Sequence, residues 1–199
     1  MSEEAALALM EARLEMKPLR QGAVDSLCGF YAILNAVRLL AYPDKHVHPR
    51  DFKELFRRGI AILSQQRHLK FTVSWGLDPD PWNRFLDRLV PEIEDVVGFR
   101  VKRHRVFDKK LRLKPSKVVG PIRYHINFGR PIVLILGAAY DHWTVIAGYS
   151  GNRLHLFDSD GYCWINTRSL TLDMHLSNRP HQLMPEACWA FERLSDWTE

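Results

Sequence analysis

The chain has 199 residues, 46% of them hydrophobic, and 28 Lys or Arg against 23 Asp or Glu give a formal net charge of +5. That length and apolar content suit one compact domain over residues 1–199 with a substantial core, and the charge points only weakly to acidic partners. No stretch approaches the roughly twenty uninterrupted apolar residues of a membrane-crossing helix.

Three cysteines, Cys28, Cys163 and Cys188, form no CxxC pair, which argues against a disulfide framework and against structural zinc. At the amino terminus, MSEEAALALMEARLEM carries acidic residues where a secretory signal would carry basic ones, and Glu11, Arg13 and Glu15 interrupt its apolar residues. This segment, residues 1–17 with its flank, reads as a peripheral solvated or docking helix, and the protein is expected to be soluble and cytoplasmic.

Residues 17–27, with Pro18, Gly22 and Ser26, read as a loop leading into the apolar run that starts at Cys28. There Phe30, Ile33, Leu34, Val37 and Leu40 or Ala41 follow the i, i+3, i+4, i+7 spacing of a buried helix, with Cys28 in its first turn. Further helices are predicted over 49–63 and 81–90, the latter with Trp82, Phe85, Leu86 and Leu89 on one face. From Pro131 the pattern changes to short apolar or alternating runs, PIVLILGAA, HWTVIAGYS and RLHLFDS, and a last strand is predicted over 188–194. Helices first and an antiparallel sheet afterwards predict an α+β architecture.

A helix's first turn offers unpaired N–H groups and positive dipole, which favour a thiolate, so Cys28 is the candidate nucleophile. Gly29 removes a side chain that would obstruct approach to it and permits tight packing. A small buried apolar residue opening a core helix is the ordinary alternative. His142, within Asp141-His142-Trp143 at the start of a strand, is the candidate base, against the alternative of a core histidine. A hairpin turning near Ser150 and Gly151 brings His142 and Asp158 together, so Asp158 is the candidate orienting acid, with Asp160 the less favoured substitute. Acyl transfer also needs donors for the developing oxyanion, which the Cys28 N–H and Gln21, seven residues before it, would supply.

Gln21, Cys28-Gly29, Ala32, Asn35, Asp141-His142-Trp143 and Phe157-Asp158 together resemble the papain-like cysteine peptidase clan, in particular the bacteriocin-leader-processing peptidases. The resemblance spans residues 18–160, in the order glutamine, cysteine, histidine, aspartate, with Gln21 one residue farther from the cysteine than that pattern usually has. It implies a helical lobe carrying the cysteine, a sheet lobe carrying the histidine and acid, and a peptide or protein substrate between them. The expected chemistry is amide hydrolysis through a thioester, by a peptidase or isopeptidase without metal or organic cofactor. Deamidation and acyl transfer would use the same residues. A non-catalytic module holding an acidic partner is the alternative from another class.

Residues 100–117, RVKRHRVFDKKLRLKPSK, hold nine Lys or Arg, the sharpest charge asymmetry in the chain. They read as a solvated edge or as a contact for an acidic protein, with nucleic acid or an anionic membrane less favoured because no nucleic-acid-binding motif accompanies them. Trp75, Trp82 and Trp143 read as core packing or as the wall of a substrate groove.

Overall fold

The fold is that of a computed structural model, which describes residues 3–45, 47–66, 69–107, 117–172 and 178–194. Five helices come first: α1 (Glu3–Leu14), α2 (Cys28–Ala41), α3 (Pro49–Gln65), α4 (Leu69–Trp75) and α5 (Pro79–Val97). Strand β1 (Val101–Arg105) and helix α6 (Val119–Asn127) precede β2 (Ile132–Ala138), β3 (His142–Ser150), β4 (Arg153–Leu156), β5 (Trp164–Asn166), β6 (Leu170–Thr171), β7 (His181–Leu183) and β8 (Trp189–Arg193). The strands form one sheet in the order β1-β8-β2-β3-β4-β5, with β7 continuing alongside β2 beyond β8 and β6 beside β7. Every pairing is antiparallel except β6 with β7. The architecture is α+β.

Both faces of the sheet are covered, which explains why β2 reads as a continuous apolar run. Val133 and Ile135 face a core shared with α2, α3 and α5, while Ile132, Leu134 and Leu136 face a second core under α6. Helix α2 is the centre of the first core: of its residues only Tyr31 and Arg38 escape burial. Helix α3 starts on a capping box in which His48 Nδ1 accepts from the Arg50 N–H at 3.2 Å and Asp51 Oδ2 accepts from the His48 N–H at 2.9 Å, with Pro49 at the first helical position.

Two helices, α5 and α6, differ from the sequence expectation. Helix α5 continues through Pro91 to Val97, although a proline inside a helix costs about 3 kcal/mol. Past the proline, Ile93 and Val97 extend the buried stripe, and two such side chains at about 1.5–3 kcal/mol each offset that cost. Gly98 then stops the helix at φ 65°, its N–H donating to the Glu94 carbonyl. Helix α6 occupies a stretch to which the sequence assigns no element, carrying Ile122 and Ile126 into the second core, whereas β1 lies at the sheet edge within the basic segment that reads as an edge. Helix α1 is docked: Met10 fills the space over Gly148, and the buried Arg13 donates from Nη1 to the Gly129 carbonyl at 2.7 Å.

Candidate active site

Cys28 opens α2 and is buried, with 9% of its surface exposed. The preceding loop is gathered by Asp25, whose carboxylate accepts from the N–H groups of Gly22 (2.8 Å) and Leu27 (3.1 Å). As the first helical residue, Cys28 has a backbone N–H with no acceptor inside the helix, at the positive end of its dipole. Gly29 serves packing rather than substrate approach. A Cβ there would lie 2.8 Å from Trp82 Cδ1 and 3.1 Å from Trp143 Cδ1. Those two indoles stack with centroids 4.2 Å apart, Trp82 donating to the Gly29 carbonyl (2.8 Å) and Trp143 to the Leu77 carbonyl (2.7 Å). Both are fully buried, so they support helix α2 and line no groove; Trp75 is exposed.

His142 is the first residue of β3, after a turn in which Ala138 (φ 66°) and Asp141 (φ 42°) take the left-handed backbone region that glycine favours. The β3–β4 hairpin is not the symmetrical one read from sequence. Its register starts at Ser150↔Arg153 and, uninterrupted, would set Asp158 opposite Val145, on the face away from His142. A bulge at Ala147 shifts the pairing to Ile146↔Leu156. Continued from there, Asp158 falls opposite Thr144 and diagonal to His142, and its Oδ2 lies 2.9 Å from His142 Nε2. Asp158 is itself fixed: Oδ1 accepts from the backbone N–H groups of Asp160 (2.8 Å), Gly161 (2.9 Å) and Tyr162 (3.2 Å).

Burial works to strip His142 of its proton, yet hydrogen bonds to Asp158 and to the Cys28 sulfur, with the electrostatic pull of both, raise its pKa from the ordinary 6.5 to about 10. For Asp158, burial acts to raise the pKa, but the hydrogen bond and charge of His142 and the Asp160 N–H hold it below the ordinary carboxylate value. The buried Thr144 hydroxyl adds to this, outside the geometry of a formed hydrogen bond. The structure therefore brings together Cys28, His142 and Asp158, with His142 placed as a cation between sulfur and carboxylate.

Gln21 sits beside this group on the Asp158 side. Its N–H donates to the Ser159 carbonyl (3.2 Å) and its Oε1 accepts from the Ser159 hydroxyl (3.3 Å), and among the described residues no hydrogen bond joins it to Cys28. Asp160 bounds the turn and takes no part in orienting His142. Two contributors take roles that the sequence reading does not assign. Asn35, fully buried two turns along α2, clamps the Gln21 loop by accepting from the Leu19 N–H (2.7 Å) and donating to the Leu19 carbonyl (3.1 Å). Tyr162 sets its ring 5.7 Å from the His142 ring, edge to face, and stacks on Tyr140 at 4.2 Å. A buried polar residue inside an apolar helix was the legible signal for Asn35; Tyr162 had none.

Residues 108–116 of the basic segment lie outside the described residues. In its described part, Arg103 pairs with Asp87 (2.7 Å), His104 with Glu192 (2.5 Å), and Arg105 lies over the Trp189 ring. No helix among the described residues is long and apolar enough to cross a membrane, and no group of His, Cys, Asp or Glu among them is placed to hold a metal ion. Comparisons with protein-family models, with curated proteins and with solved structures return no match to this chain.

Proposed function

We propose that this chain is a cysteine peptidase or isopeptidase of papain-like organisation, acting on a peptide or protein through Cys28, His142 and Asp158. The observation that carries the reading is the hydrogen bond of His142 to Asp158 at 2.9 Å, with Cys28 close enough to act on the same imidazole, mounted between a helix start and a strand start. The Cys28 proton passes to His142, and Asp158 holds the imidazolium in place. The thiolate adds to an amide carbonyl, and the Cys28 N–H meets the developing oxyanion at the helix end. Collapse of the adduct breaks the C–N bond as His142 passes its proton to the departing amine, leaving a thioester. Neutral His142 then takes a proton from water, whose oxygen attacks the thioester and releases the acid and the thiol. Gln21, held on Ser159, is the candidate second oxyanion donor.

The test sets reactivity against exposure. Cys163 is exposed, whereas Cys28 is buried and Cys188 is fully buried, its pKa raised by desolvation and by nearby Glu186. Limiting iodoacetamide, applied from about pH 5 to about pH 9 with the adduct mapped by mass spectrometry, should modify Cys28 ahead of Cys163 at the acid end. In His142→Ala that preference should vanish. Labelling that follows exposure, with Cys163 first at every pH, would remove the reading.

A further inference from the structure

Within residues 100–117, Arg103 and His104 pair with the chain's own acids and Arg105 lies over a ring. A second group of cations lies elsewhere. Between α2 and the start of α3 runs an open trough of about 1000 Å³. Its floor is apolar: Leu34 and Phe52 are recessed, and Tyr31 and Phe56 form its half-buried walls. Its rim carries Arg20, Arg38, Arg50, Lys53 and Arg57, and no acidic side chain lines it. Arg50 and Arg57 have neighbouring carboxylates, Asp51 and Glu54. Among the described residues no carboxylate pairs with Arg20, Arg38 or Lys53.

The trough lies beside the candidate active site, sharing α2 and the Gln21 loop with it. Tyr31 stands one turn from Cys28 on α2, and Arg38, the only other α2 residue to escape burial, lies two further turns along. At the near end, Leu19 and Arg20 belong to the Gln21 loop, and the Arg20 guanidinium lies so close over Gly161 that a Cβ there would meet Nη1 at 2.4 Å. From Tyr31 to Arg38 the helix advances about 10 Å, the span of about three extended residues.

We propose that this trough is the subsite for an acidic, apolar segment of the polypeptide substrate, adjoining the bond that Cys28 attacks. The proposal rests on the peptidase reading for the position of that bond. Apolar side chains of the segment enter between Tyr31 and Phe52, and its carboxylates meet Arg20, Arg38 and Lys53 at the rim. A recessed floor with cations along both sides suits a single extended chain, whereas a flat bilayer would touch the rim alone.

Binding is read in the Cys28→Ala protein, which cannot turn over, so a dead nucleophile and an empty trough are seen separately. A fluorescein-labelled octapeptide of alternating Glu and Leu is the probe, with Lys-Leu and Glu-Ser octapeptides as controls, followed by anisotropy. The Glu-Leu probe should bind at least about tenfold more tightly than either control and weaken as salt rises. Arg38→Glu with Lys53→Glu should reduce its affinity by about tenfold or more, and the neutral pair Arg38→Gln with Lys53→Gln by less, circular dichroism confirming that both fold. Equal binding of the three peptides, or affinity indifferent to both pairs of substitutions, would overturn the proposal. So would phosphatidylglycerol vesicles captured through the same cations with no binding of the Glu-Leu probe. Loss of selective Cys28 alkylation in the wild-type protein would strike the peptidase reading alone, leaving the anisotropy result to stand or fall by itself.

Discussion

At the scale of single residues, the proton on His142 is the quantity that organises the site. Its release near pH 10, against 6.5 for an ordinary imidazole, means that the folded state holds it more tightly than the unfolded chain does. The stability this confers is complete below about pH 6.5 and is lost as pH rises through about 10. In NMR titrations the His142 ring signals should therefore stay flat from about pH 5 to about pH 8 and move near 10. Asp158→Asn deletes the anionic partner and leaves burial to act, so the titration should shift to lower pH; a curve unmoved by that change would separate Asp158 from the imidazole. Cys28, His142 and Asp158 were legible in sequence because each stands where a periodic pattern starts or stops, and such boundaries survive in a one-dimensional reading. The Ala147 bulge that puts Asp158 on the right face was not, since nothing in HWTVIAGYS distinguishes a bulged strand from a regular one. Gln21 was found by its position, but its partner Ser159 lies 138 residues away, and only the fold pairs them.

Elements were legible in proportion to the length of their apolar stripe. Helix α2 was read nearly to the residue, and α5 was cut short because Pro91 is a local stop signal that distant burial of Ile93 and Val97 overrides. Helix α6 was missed because nine residues containing Gly120 and Pro121 carry little helical pattern, and its stripe is completed by the sheet it covers. Helix α1 was expected, and of its two readings, solvated or docking, the fold has the docked one. It lies with α6 on the sheet face opposite α2, Met10 against Tyr149 and Arg13 on Gly129, so it does not cover Cys28. Removing residues 1–16 should consequently lower the thermal midpoint, because Arg13 and Met10 leave their sites, and should leave the alkylation rate of Cys28 unchanged. A truncated protein whose Cys28 reacts several-fold faster would show that α1 restrains the site.

For the whole molecule, the alternation within β2 is decisive, since neighbouring residues of one strand feed two cores on opposite sides of the sheet. Neither layer can be lost without exposing the other's strand face, so a single cooperative transition is expected. Tryptophan fluorescence follows the first core through Trp82 and Trp143, and the reactivity of Cys188 follows the second; the two should change over the same range of urea. Separate midpoints would mean that the layers unfold independently. Whole-molecule charge was the least legible property, because the sequence shows where cations cluster and the fold decides which of them meet a carboxylate. The paired indoles beneath Gly29 carry an optical consequence. Two near-parallel chromophores 4.2 Å apart share their electronic excitation, so the far-ultraviolet circular dichroism should contain a split band of opposite signs. Replacing either tryptophan with phenylalanine would collapse that couplet to the signal of an isolated ring, giving a spectroscopic reading of how the helix that bears Cys28 is seated.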